Sequence, residues 1–317
     1  MIWLSWRQQR TETVITAALL ALLAAALIPA GIHLADLFAQ QDVARCIGQQ
    51  TPACSLTIET FNSHVGFVRG LVLGGWLNLI PGLIGVALAA PLLLDLESGT
   101  IRLAWTQSVT RKRWLATKLA LPVGAALAAA VGFSALFTWY QVPVDRIYGH
   151  WDEFGFEGIV PLGYTVFAFA LTLGIGVLWR RSAAAMVVGF GAYVAARLFV
   201  QSWLRQRFVT PLSATWGQHS FGPKTTHAWV LVEGPSDKAG HLFGGSSLVL
   251  QACAKPGPNG DKGLDPTCMA RHGAGFTHLL YQPASRFWEI QGLEFTLFTG
   301  VAVLLIAFVS WRILRAD

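Results

Sequence analysis

Six times along this chain an apolar run of about 20 residues appears with almost no charge inside it. The runs cover residues 14–34, 70–94, 119–140, 159–178, 183–204 and 292–313. A hydrocarbon layer about 30 Å thick is crossed by about 20 helical residues. A backbone facing lipid must satisfy its own hydrogen bonds, which a helix does within one segment. Repeated runs of this length therefore predict an all-α integral membrane protein with six transmembrane helices. Only 13% of the residues are charged, about half the share of a soluble domain, so a large soluble core is excluded. Prolines 29, 81 and 91 fall inside the first two runs and predict kinks.

Charge sets the expected orientation. With the N-terminus in the cytoplasm, Arg7 and Arg10, then Arg102, Arg111, Lys112, Arg113 and Lys118, then Arg180 and Arg181, then Arg312 and Arg315 all fall inside. The short loop 141–158, with Asp145, Asp152, Glu153 and Glu157 against Arg146, falls outside. This is the positive-inside pattern, and it puts both termini in the cytoplasm. The segment 205–291 then forms a large extracytoplasmic loop; long loops translocate largely regardless of charge. The net charge of +6 is accounted for by residues flanking apolar runs, so no nucleic-acid partner is expected. Ile2, Trp3 and Trp6 beside Arg7 and Arg10 suit a short interfacial helix. A cleaved signal peptide is the rival reading, but the run that follows is longer than a signal core.

The cysteines agree with this topology. Cys46, Cys54, Cys253 and Cys268 all lie on segments assigned to the outside, where disulfides persist. Nearest-neighbour pairing, Cys46–Cys54 and Cys253–Cys268, is one of three connectivities that four cysteines allow. His219, His227, His241, His272 and His278 in the long loop match no tight metal-ligand spacing. Spacing assembles no catalytic, cofactor-binding or metal-ligating set, and the chain has no GxxxxGK[ST] phosphate loop and no HExxH.

The polar interval 95–118 stands apart. Gly99 suits the position just past a helix end. Thr100 suits the cap of a short helix running to Trp105, and Thr110 a second cap with Arg111 as first helical residue. Val109 and Trp114 fall at the two positions of a hydrophobic staple. Cations at a helix start oppose the macrodipole, so membrane orientation or a partner surface has to account for them. Trp105 and Trp114 are read as exposed aromatics that mark a docking surface or anchor in the lipid interface. Asp95 and Glu97 sit at the inner mouth of the second span, to pair with the loop cations or line a gate. Arg197 lies inside the fifth run; an arginine there marks a translocation path or pairs near the outer end. His33, Asp36 and Glu294 are expected to be solvated boundary residues.

Three stretches carry a family resemblance. Glu97-Ser98-Gly99-Thr100 followed by Arg102-Leu103-Ala104-Trp105-Thr106-Gln107-Ser108-Val109-Thr110-Arg111 resembles the cytoplasmic loop of actinobacterial ABC-2 type transporter permeases. Tyr281-Gln282-Pro283-Ala284-Ser285-Arg286-Phe287-Trp288 and the opening Trp3-Leu4-Ser5-Trp6-Arg7-Gln8 resemble the same group. The resemblance implies a bacterial plasma-membrane permease that pairs with a second copy and carries separate ATP-binding cassette subunits. ATP and magnesium would then sit on that partner and none on this chain. The coupling loop implied for the ATPase contact comprises Glu97, Gly99, Thr100, Arg102, Trp105, Thr106, Arg111 and Trp114. The expected organisation is a five-helix region 1–204, an outer cap 205–291 that is larger than the compact members of the group carry, and a sixth helix with its tail at 292–317. The competing classes are a membrane-embedded transferase with its active site in 205–291, and a sensor or assembly protein.

Overall fold

The computed structural model describes residues 2–49, 51–73, 76–98, 110–217, 220, 222–223, 225–244, 247–256 and 262–315. The chain divides into two compact units, Met1–Arg205 with Trp288–Asp317, and Gln206–Phe287.

The first unit is helical. Its elements are α1 (Ile2–Gln40), α2 (Val43–Cys46), α3 (Pro52–Leu73), α4 (Ile80–Glu97), α5 (Arg111–Tyr148), α6 (Val160–Trp179) and α7 (Ser182–Phe199). The last helix of the chain, α10 (Phe287–Arg315), completes it. Among the described residues, six helical segments are long and apolar enough to cross a membrane: Ser5–Gln40, Trp76–Glu97, Arg111–Tyr148, Val160–Trp179, Ser182–Arg207 and Ala284–Arg315. Most run past the apolar windows at one end or both, because helical hydrogen bonding continues into the interface with polar side chains.

Two features differ from expectation. The interfacial stretch at the N-terminus is no separate helix: α1 runs unbroken from it through Pro29. The interval 35–67, which lies between the first two apolar runs, holds most of α3. Its Phe61 and Val65 sit one helical turn apart and are buried with Leu27, Leu34 and Phe38 of α1 and Phe133, Phe137 and Tyr140 of α5. The outer face is polar, and Thr57 and Thr60 return their hydroxyls to the carbonyls four residues back. That polar face hid a helix whose apolar stripe is narrow.

Glycine lets α4 and α6 approach closely. A methyl group at Gly85 would meet the Thr165 carbonyl and lie 2.8 Å from Phe169 N. Without a hydrophobic drive between helices in lipid, such small residues allow the close backbone packing that holds spans together. Around this contact Leu88, Leu92, Leu93, Phe169, Leu173, Val309 and Ile313 form a buried cluster.

The second unit carries strands, which a purely helical reading did not anticipate. β1 (Leu212–Gly217), β2 (Trp229–Ser236) and β5 (Phe276–Gln282) form an antiparallel sheet in the order β1-β5-β2. β3 (Ala254–Pro256) and β4 (Lys262–Leu264) pair as a small ribbon. Short helices α8 (Leu248–Ala252) and α9 (Pro266–Arg271) enclose a compact cluster of Cys253, Met269 and Ala274. Asp265 caps α9 by accepting from Thr267 N at 3.0 Å and Cys268 N at 3.4 Å. The all-α description holds for the membrane-crossing unit; the sheet strands are mostly half-buried along their length and so show little alternation in sequence.

Cys46 is bonded to Cys54 across the α2–α3 turn, and Cys253 to Cys268 between α8 and α9. Peptide mapping without reduction is expected to recover both pairs, whereas free thiols at all four positions would contradict them. Cys253→Ala is expected to lower the stability of the 206–287 unit by about 2–5 kcal/mol, read as faster limited proteolysis there.

Candidate functional site

Gly99, Thr100, Arg102, Trp105 and Thr106 lie outside the described residues, so the centre of the 95–118 interval is known here from its two ends. Those ends are tied together. Lys118 Nζ of α5 pairs with Asp95 Oδ2 of α4 and donates to Gln8 Oε1 of α1. Gln8 Nε2 returns to Asp95 Oδ1 at 3.3 Å. Next to it Gln9, buried, donates to the Leu88 carbonyl at 2.9 Å. One cation thus joins the starts of α1 and α5 to the end of α4.

Glu97, expected to pair with the loop cations or line a gate, bonds to α7 among the described residues. Its Oε2 accepts from Ser182 N at 2.9 Å and from the Ser182 hydroxyl, at the first residue of α7. A carboxylate there satisfies an orphan amide and faces the positive end of the helix dipole. Trp114 is also a correction: it is only 5% exposed. It packs with Leu88, Leu92, Leu93, Leu115 and Ile313, so it anchors α5 rather than offering a docking face. An aromatic four residues before a lysine that folds back over it (Lys118 Nζ lies 5.8 Å from the ring centre) reads as surface in sequence and as core in space. Arg111 stands at the exposed start of α5, with Nη1 3.5 Å from the Leu314 carbonyl at the end of α10. Thr110 has the extended backbone of a cap, and its side chain makes no capping bond.

A second group lies within the spans. Arg197 of α7 is buried and donates from both terminal nitrogens to the carbonyl and side-chain oxygens of Asn78. Asn78 sits in the 3-10 turn Trp76–Leu79 that precedes α4. The guanidinium stacks over the Tyr164 ring, 4.4 Å from its centre. Arg197 is therefore held laterally by a neighbouring span.

Tyr164 carries a second arginine on its hydroxyl. Arg205 binds Glu294 in a fork, Nε to Oε2 at 2.7 Å and Nη2 to Oε1 at 2.9 Å, and Nη2 also reaches the Tyr164 hydroxyl at 3.2 Å. Tyr164 in turn donates to Glu294. Glu294, expected as a solvated boundary residue, is fully buried. Desolvating it is tolerable only because a bidentate cation and a hydroxyl satisfy both its oxygens. Sequence gave no sign of this, since its partners lie 89 and 130 residues away.

The short segment between α5 and α6 is fastened to α10 by Gln291, another residue that sequence reasoning missed. Its Oε1 accepts from Ile159 N at 3.2 Å and Val160 N at 3.1 Å. Its Nε2 donates to the Phe154 and Glu157 carbonyls at 2.9 and 3.1 Å. Beside this clamp Glu157 is nearly fully buried rather than solvated. Burial first, then the charges of Asp145 and Glu153, push its carboxyl up to about 9.

A family model described as ABC-2 membrane transporter related matches residues 17–205. No curated protein and no solved structure matches the chain.

Proposed function

Since this chain belongs to the family of ABC-2 membrane transporter related proteins, we propose that it is the permease subunit of an ATP-binding cassette exporter in a bacterial plasma membrane. In this reading two permease copies assemble, and a separate ATPase binds ATP and magnesium and docks on the interval 95–118. Both termini face the cytoplasm and the strand-bearing unit 206–287 faces outward, which the charge pattern supports. No reaction is assigned to this chain itself.

The observation that carries the reading is the tie of this interval to the spans. Its two ends meet through Asp95 and Lys118, Gln8 joins them to α1, and Glu97 joins them to α7. A partner pressing on the interval moves four helices together. Arg111 and Trp105 are the proposed contacts, together with Gly99, Thr100, Arg102 and Thr106 of the same interval; Trp114 holds the base from inside. Arg197, the candidate path residue, is gripped by Asn78 and Tyr164. Contact with substrate therefore requires that grip to open during the cycle.

Trp105→Ala and Arg111→Glu are expected to leave insertion and folding intact and to weaken capture of the ATPase. Loss of one interface hot spot costs about 2 kcal/mol, roughly thirtyfold in affinity. Trp114→Ala, by contrast, is expected to destabilise the permease before it affects docking. Unchanged ATPase capture and unchanged ATP-dependent export in both surface variants would remove the interval from its coupling role.

A further inference from the structure

We propose that Asp145, His150 and Glu157 form a binding site for one divalent first-row transition ion, Zn2+ foremost, between the end of α5 and the start of α6. The site uses neither the coupling interval nor the buried arginines, and it stands independently of the transport reading.

The ligand atoms are already gathered. His150 Nδ1 lies 3.1 Å from Asp145 Oδ2 and 3.0 Å from Glu157 Oε2. One ligand atom from each of the three residues falls within 4.8 Å of the others. In a tetrahedral zinc site with bonds of about 2.1 Å, ligand atoms stand roughly 3.4 Å apart. An ion at the centre therefore requires the imidazole nitrogen to draw away from each carboxylate by only a few tenths of an ångström.

The electrostatics ask for a cation. Asp145 and Glu157 are 7% and 1% exposed. Both carboxyls are turned toward the imidazole, Asp145 through Oδ2 and Glu157 through Oε2. Burying two carboxylates beside one another is costly unless a charge of opposite sign sits between them. A divalent ion would supply that charge.

The surroundings pre-organise the ligands. Asp145 is in the last turn of α5, whose carbonyl accepts from Gly149 N at 2.8 Å. Gly149 has φ 81°, a conformation that only glycine adopts without strain, and it turns the chain so that His150 comes back over Asp145. The Glu157 carbonyl is held by Gln291, which fixes the third ligand's backbone. The His150 side chain is 46% exposed, which gives an entry route and leaves coordination positions open to water or to a further ligand. One imidazole nitrogen with two carboxylates suits Zn2+ or Mn2+, whereas Mg2+ and Ca2+ prefer sites made of oxygen alone. Bound there, the ion would fasten the α5 end to the segment that leads into α6.

The test uses the full chain, purified in detergent, stripped with a chelator and titrated with Zn2+ against a colorimetric competitor. One equivalent is expected to bind, and His150→Ala and Glu157→Gln are each expected to weaken that binding by more than about a hundredfold. His150 is half exposed and Glu157→Gln keeps the side-chain shape, so both variants are expected to fold. Absence of tight binding to the stripped wild type, or full retention of it in both variants, would overturn the proposal. X-ray absorption on the zinc-loaded wild type decides without any variant. One nitrogen and two carboxylate oxygens at about 2.0–2.2 Å support the site; a shell of several imidazoles, as the histidines of 206–287 would supply, overturns it.

Discussion

Replacing Glu294 with alanine lowers the unfolding free energy of the chain by about 3–5 kcal/mol. The variant strands Arg205 inside the protein, with its fork facing an empty space and the Tyr164 hydroxyl without its acceptor. The magnitude reflects an orphaned buried cation more than the worth of the pair. The double change Arg205→Met with Glu294→Leu removes both charges, and it is expected to recover most of the loss. Thermal unfolding in detergent separates these cases. If Glu294→Ala unfolds with the wild type, the fork is not closed in the native protein. If the double variant is as unstable as the single one, the network has a structural role beyond satisfying its own charges.

Gln291→Met has the second large effect, expected at about 3 kcal/mol or more. The side chain keeps its length and loses every hydrogen bond. The amides of Ile159 and Val160 then lose this acceptor, and the carbonyls of Phe154 and Glu157 lose this donor. Each orphaned group costs about 1–3 kcal/mol, reduced wherever water enters. The loss concentrates in the segment between α5 and α6, so amide exchange at Ile159 and Val160 is expected to speed up before exchange elsewhere in α6 does. Uniform acceleration through the helix would mean that Gln291 supports the whole bundle instead. Unchanged exchange would mean that other donors replace it.

These two residues also show where sequence stopped being informative. The membrane class was legible because length and hydrophobicity are local properties: each of the six runs announces a helix by itself. Partnership is not local. Glu294 sits near the start of a run, where solvation is the ordinary state for an acid, and only packing brings Arg205 and Tyr164 to it. Gln291 has no local pattern at all, since its partners are backbone groups more than 130 residues away. Trp114 misled for a related reason: the staple spacing and the neighbouring cations described a surface turn, while α4 and α10 close over its ring. Helix α3 was hidden by its polar face, and the sheet of the second unit by strands whose residues are mostly half-buried on both faces, without a clean alternation. The cysteine pairs lay within reach of sequence because each closes a short separation, 8 and 15 residues.

The claim that ties the family, the clamped interval and the six spans together is that another chain drives this one. It is tested most directly by purifying the tagged full-length protein from its native membranes in mild detergent and weighing what accompanies it. The account predicts a soluble-type chain carrying GxxxxGK[ST], recovered in near-equal molar amount and lost when Arg111→Glu replaces the wild type. Recovery of the intact, folded permease with no nucleotide-binding chain at any detergent or nucleotide condition would contradict it.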